Sequence, residues 1–524
     1  MERDIDVQLF GAIGDGNTVN TSALQDAFDE ARSRNGGRVV IPPGVFVTGS
    51  LRIHSNTELY LMSGAVLQGS TDLADYTFDN PIPQSQRDPF DNPAMQDRHL
   101  LLLYRAHGVT IRGPGVIDGQ GEAFWNPPAD PSVRKWWTHR NWERPCPMID
   151  IIECEDLRLE GLTIRNSPGW TVELQNCDRV VVHGVTVLNN FWGPNTDAFD
   201  IAGSRDVMIS DCHVVCGDDA FCVKTMPHTR SAERITITNC TVRTNCVGLK
   251  LGCFESHKDM RQITFTNNVV FNSSRAVGIY NFKGATFEDI IISNLLCDDD
   301  NELPLNRPIH IDLRHETEMG WGGVSPTGKA GIVRRVQISN VVARTTGPIL
   351  LTAADDGELS DVTLRDIHLH YSAIAPLQPF ARESRSAQFS NHSPEARSAP
   401  AALVADGVQR LRVLGFTVEW PQEGSGTARP VSHVAGQGHG GWGPDVTRAP
   451  VTDAATGTTA EDAAPGSPER VPEFHLGWFR NCTGHIRDVW GSASESGIQN
   501  WVRAGHDKMD VEDPVNPGEV HDAG

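Results

Sequence analysis

The sequence predicts an all-β solenoid of short parallel strands, closed at its start by a capping helix and interrupted by long loop insertions. Three observations predict it. A strand-and-turn unit recurs at nearly constant spacing, the 524-residue chain exceeds what one compact core accommodates, and the segments between repeats carry loop composition. All of residues 1–524 are therefore expected to belong to one elongated domain.

The repeat carries most of this reading. A polar residue, alternating apolar positions and a small turn recur at Asp156, Asp178, Asp206, Arg234, Gln262 and Asp289, with offsets of 22, 28, 28, 28 and 27. Such a unit is too short for a strand–helix–strand crossover and too regular for a sandwich, but it suits one coil of stacked parallel strands. Asp211, Asn239, Asn267, Asn294, Asn340 and Asp366 occupy one place in successive units, where turn side chains are expected to stack as a ladder.

The other elements follow in order. Val7–Phe10 reads as a short strand. Residues 21–34 read as the capping helix, with Thr21 as N-cap, Leu24, Ala27, Phe28 and Ala31 as one apolar stripe, and Gly36-Gly37 as the stop. Residues 70–147 read as long loops flanking a substrate groove, densest in Pro, Asp and aromatic residues over 70–100 and 119–147. Residues 371–402 and 421–470, dominated by Ser, Ala, Pro, Gly and Thr, cannot form a core and read as flexible insertions.

Charge excludes several function classes. With 67 acidic and 45 basic side chains, the formal charge of -22 repels nucleic acid and anionic membrane surfaces. No apolar run is long enough to span a bilayer. The start has no export signal, which points to a cytoplasmic protein, or to a secreted one if a leader has been removed. The 11 cysteines read as small buried residues, because no pair has zinc-ribbon spacing. No metal and no cofactor is expected, and oligomeric state is not legible.

The chemistry resides in carboxylates. Asp197 in Asn195-Thr196-Asp197 and the pair in Gly217-Asp218-Asp219 are 21 residues apart, close to one coil, so stacking brings them onto neighbouring strands about 4.8 Å apart. Hydrolysis of a glycosidic bond needs an acid for the leaving oxygen and a carboxylate for water or the sugar. Crowded carboxylates also raise the proton affinity of at least one member, as a general acid requires.

These motifs, with Phe10-Gly11-Ala12, Gly14-Asp15-Gly16, the turn from Gly115 to Gly121 and Asn166-Ser167-Pro168-Gly169-Trp170, resemble those of glycoside hydrolase family 28, the polygalacturonases and their relatives. The resemblance covers most of the chain up to about residue 370. It implies a right-handed parallel β-helix, an inverting hydrolase, Asp218 as general acid, and Asp197 with Asp219 as the residues that position and deprotonate water. Inverting enzymes usually hold their carboxylates about 6.5–9.5 Å apart, farther than direct stacking gives.

The chain departs from the family in two places. Where polygalacturonases carry Gly-His-Gly, it reads Cys246-Val247-Gly248, and where they carry Arg-Ile-Lys, it reads Gly278-Ile279-Tyr280. Without those cations a buried uronate charge lacks compensation, so a rhamnogalacturonan-like or other non-homogalacturonan carbohydrate is the expected substrate. Lys224, His228, Lys250, Glu255, His257, Arg275, Tyr280 and Lys283, with Asn195, are the candidates for substrate contact. Neither His228 nor His257 has metal-ligand spacing. Trp137, among Trp125, Trp136 and Trp142, is a candidate stacking wall. Two alternatives share the fold: a polysaccharide lyase, in which the acids bind calcium, and a carbohydrate-binding solenoid without catalysis.

Overall fold

The structure is a computed structural model that describes residues 4–77, 80–87, 97–129, 138–139, 143–299, 306–314, 330–371, 396, 399, 401–420, 475–491, 501–504, 508–512 and 521–522. The described strands form two long parallel sheets, one of 24 strands and one of 14, and a two-stranded antiparallel ribbon of Trp125–Asn126 with Thr138–His139. The chain alternates between them as a right-handed parallel β-helix, the handedness that parallel crossovers strongly favour. No described helix is long and apolar enough to cross a membrane.

Each coil repeats one register. In the smaller sheet Ile149, Val172, Phe199, Phe221, Leu249, Val277 and Ile309 stack in succession, all fully buried. Like side chains therefore meet like: the rings of Phe199 and Phe221 lie 5.7 Å apart and 8° from parallel. Such stacked apolar columns hold the solenoid together, because a single coil buries too little surface alone.

The turn ladder forms as the repeat predicts. Asp211, Asn239, Asn267, Asn294, Asn340 and Asp366 all adopt left-handed backbone, which Asn and Asp tolerate better than other non-glycine residues. Asn294 donates to Asn267, and Asn340 to Asn294, both at 2.8 Å. Beside it runs a ladder of alternating charge, in which Arg179 pairs with Asp156 at 2.7 Å and Arg234 with Asp206 at 2.6 Å. Arg179, rather than Asp178, is thus the repeat's equivalent of Asp156.

Four expectations need correction. Val7–Phe10 is a 3-10 turn, because the Asp6 carboxylate accepts from the Gln8 amide at 2.9 Å and curls the chain. The strand stops at Ile5–Asp6. The helix spans Thr21–Ser33 with Asn20 as its N-cap. Thr21 turns its hydroxyl to the Gly49 amide at 2.8 Å instead, while Leu24, Ala27, Phe28 and Ala31 are buried over the first coil as the stripe predicts. Within 70–147, strands Leu101–Tyr104, His107–Arg112 and Val116–Asp118 complete a coil, because their apolar positions stack on those above and below. At the edges of 371–402, Tyr371 ends strand Glu358–Tyr371 and Ala401 opens strand Ala401–Asp406, since both extend existing parallel ladders. The span 421–470 lies outside the described residues.

Candidate active site

Asp197, Asp218 and Asp219 sit in the turns that enter two adjacent strands of the smaller sheet, Phe199–Ala202 and Phe221–Thr225. Phe199 pairs with Phe221, and Ala198 N donates to the Asp219 carbonyl at 3.0 Å. The offset is therefore 22, and the residue stacked on Asp197 is Asp219, not Asp218.

Two threonines clip these turns together. Thr196 Oγ1 accepts from Gly217 N at 2.9 Å and donates to the Gly193 carbonyl at 3.1 Å. A Cβ on Gly217 would lie 2.3 Å from that carbonyl, so only glycine lets the two turns approach. One coil later Thr244 Oγ1 donates to the Asp218 carbonyl and accepts from Cys246 N at 3.0 Å. The sequence between the acids is thus what aims them.

Asp197, Asp218 and Asp219 are 5%, 8% and 2% exposed. Single oxygens of Asp218 and Asp219 and the Cys246 sulfur lie within 4.8 Å of one another. Lys250 Nζ stands 2.7 Å from Asp219.

These contacts split the protonation states. Burial, then the neighbouring Asp219 charge, pushes Asp218 up to about 7. Burial also pushes Asp219 upward, but the charge and hydrogen bond of Lys250, with Cys246 and Arg275, carry it below the usual carboxylate value. Asp197 is held well above that value by burial and by Asp218, Asp200 and Asp219. The site therefore offers a protonated acid beside an ionised base, the division that general acid–base chemistry needs. As a metal site it is poor, because Lys250 already supplies the cation. The Cys246 thiol is also held well above its ordinary value, by burial and then the Asp219 and Asp218 charges, whereas metal binding needs thiolate.

The flanks differ in charge. Toward the N-terminus, Asp150, Glu173 and Asp200 stack on the outer face of the sheet, all buried. Lys224 Nζ lies 3.1 Å from Asp200, 3.4 Å from Glu173 and 3.8 Å from the Trp170 ring centre. Toward the C-terminus, Arg275 stacks in register with Arg307. Arg275 donates to the Tyr280 hydroxyl at 3.2 Å, and that hydroxyl meets His310 Nδ1 at 3.2 Å.

The structure thus gathers Asp197, Asp218, Asp219, Lys250, Arg275 and Tyr280. Asn195, in left-handed backbone, borders them and accepts from Arg144 at 3.4 Å. Lys224 is a buried floor residue, ion-paired as above, rather than a groove-wall contact. His228, His257 and Lys283 lie at the opposite ends of the strands. His228 meets Gln175 at 2.8 Å, and Lys283 meets His257 at 3.0 Å. Trp137 and the Glu255 side chain lie outside the described residues. Trp125 is an anchor, fully buried and donating to the Pro168 carbonyl at 2.9 Å.

Sequence reasoning missed Arg144, Glu173, Asp200, Cys246, Arg307 and His310 as members of this constellation. One signal was present: Glu173 and Asp200 are carboxylates that follow an apolar residue and precede another in four-residue strands, 27 residues apart like the repeat.

The family model for glycosyl hydrolases family 28 matches residues 91–383. A probable polygalacturonase of Vitis vinifera is 33% identical over 221 residues, 41% of this chain and 43% of that one. An exo-poly-alpha-D-galacturonosidase of Dickeya chrysanthemi is 38% identical over 253 residues, 41% of each. The chain thus spans less than half the length of these two curated relatives. Among solved structures, the family 28 exopolygalacturonase of Yersinia enterocolitica has the same fold, with TM-score 0.61, 17% identity, and coverage of 80% of this chain and 75% of that one.

Proposed function

This chain belongs to glycosyl hydrolases family 28, and on that premise we propose that it hydrolyses a glycosidic bond in a pectic, galacturonate-containing carbohydrate, with inversion. The observation that carries the reading is the convergence of Asp218 and Asp219 with Lys250 2.7 Å from Asp219, an arrangement that favours a proton on Asp218 and charge on Asp219. Asp218 protonates the leaving oxygen. Asp219 takes the proton of the attacking water, and Asp197, kept neutral, orients that water from the coil below.

The flanks support a substrate of mixed character. Lys250, Arg275 and Arg307 supply cations for a uronate carboxylate on the C-terminal side, so the missing Arg-Ile-Lys motif leaves no deficit of positive charge there. On the N-terminal side, Glu173 and Asp200 share Lys224, and Asp150 stacks in register with Glu173. That floor suits a neutral sugar better than a second uronate. An alternating acidic and neutral backbone, as in rhamnogalacturonan, fits this asymmetry better than homogalacturonan. Calcium-assisted lyase chemistry is disfavoured because an ammonium group stands at the acids.

Reducing-sugar release from homogalacturonan, rhamnogalacturonan and neutral pectic oligosaccharides tests the reading. We expect release from rhamnogalacturonan above that from homogalacturonan, with no unsaturated product absorbing in the near ultraviolet, and the proton spectrum of the first product gives the anomer. Turnover of none of the panel, or unsaturated products, would overturn it.

A further inference from the structure

Cys246 occupies the stretch where the family carries histidine, and its surroundings are those of a functional group rather than a core filler. Its sulfur lies within 4.8 Å of oxygens of both Asp218 and Asp219. Arg275 NH2 donates to it at 3.4 Å, and the Thr244 clip that fixes the Asp218 carbonyl also holds the Cys246 amide. The residue is 6% exposed. A thiol offers one donor and a weakly accepting sulfur. Here the acceptor is taken by a guanidinium and the donor faces two carboxyl groups.

We propose that Cys246 is a positioning residue for the acid–base pair, its S–H bridging the Arg275 guanidinium to the Asp218 and Asp219 carboxyl groups. The inference rests on the hydrolase reading above. In this arrangement the thiol relays the Arg275 charge toward the carboxyl groups without forming a rigid salt bridge and favours the ionised form of Asp219, while Asp218 keeps its proton through burial and the neighbouring Asp219 charge, against the pull of the same thiol. Among the described residues, the titratable and charged groups facing this cluster are Asp197 and Asp200 from the coil below, Cys216, Cys222 and Lys250 beside it, and Arg275 with Tyr280 from the coil above. Burial and the two carboxylates hold the thiol protonated, which the bridge requires. A merely space-filling cysteine would be indifferent to the charge of either acid.

Two measurements on the full chain test this. Infrared difference spectra between wild type and Cys246→Ala isolate one S–H stretch among 11 cysteines, and that band is expected to shift as the carboxyl groups titrate and to stop shifting in Asp218→Asn. A band that keeps one frequency across the titration overturns the proposal, and does so whether or not any substrate is cleaved. In the kcat/KM profile, Cys246→Ala is expected to move the acid limb up by about one pH unit, the tenfold weight of one such bond. Cys246→Ser, which keeps a donor, is expected to restore the wild-type limbs. An equal loss at every pH in both variants would mark the residue as structural and would also overturn the proposal.

Discussion

Replacing Lys250 with methionine isolates the contact that keeps Asp219 ionised. Lys250 Nζ is 2.7 Å from Asp219 Oδ2, and the side chains are 15% and 3% exposed, so solvent screens the pair little. Removing one partner of a buried pair costs about 3–5 kcal/mol. Arg275 also lowers Asp219 and remains, so the lower end, about 3 kcal/mol, is the better estimate. At 1.36 kcal/mol per pH unit this moves the acid limb of kcat/KM up by about two units. One unit above the wild-type limb the variant should then be roughly tenfold slower. Lys250 also lowers Asp218, but behind burial and the Asp219 charge, so the alkaline limb should move less and the bell should narrow from its acid side. Steady-state rates across pH, with circular dichroism to confirm folding, make the measurement. An acid limb within about 0.3 units of wild type, or one uniform factor at all pH, would refute the assignment of Asp219 as base.

Gly217→Ala should lower both the melting temperature and kcat, because its Cβ would lie 2.3 Å from the Gly193 carbonyl and 2.8 Å from the Thr196 hydroxyl. Overpacking of this kind costs about 1–3 kcal/mol; unchanged melting with unchanged rates would remove the clip from the account. Stability should fall as pH rises from about 6.5 to 8, above the range in which the buried His99, His228 and His310, held below the ordinary imidazole value by burial, act in the opposite direction. Asp150 and Asp218 are pushed up to about 7, and Glu173 and Asp299 to about 8, with burial as the leading cause in each. Unfolded carboxyl groups titrate near about 4. Between those values the folded state binds more protons than the unfolded, so the contribution is complete below about pH 4 and drains away up to pH 7–8. Each group can remove up to about 1.4 kcal/mol per unit. A melting temperature that climbs from about pH 6.5 to 8 would contradict this.

The sequence made the solenoid legible because its repeat is local: Asn267, Asn294 and Asn340 mark their turns without knowledge of any distant contact. It made the three acids legible through their motifs. It did not give their register, since 21 and 22 residues both approximate a coil, and only the Phe199–Phe221 pairing decides between them. The cations were harder still. Arg275 lies three residues before the aligned Gly278, and Arg307 one coil later, so their meeting depends on stacking rather than on spacing in a motif. Lys224 misled for the opposite reason: in sequence it is a cation near the acids, but the strand turns it into the floor among Glu173 and Asp200. Cys246 carried no signal, because a cysteine in an apolar stretch looks like any other core residue.

The direct test of the central claim is Asp218→Asn, which keeps the shape of the side chain and removes its transferable proton. A fall in kcat of about 100- to 10,000-fold is expected, with the melting profile and the calorimetric affinity for a pectic oligosaccharide close to wild type. Turnover within tenfold of wild type would contradict it.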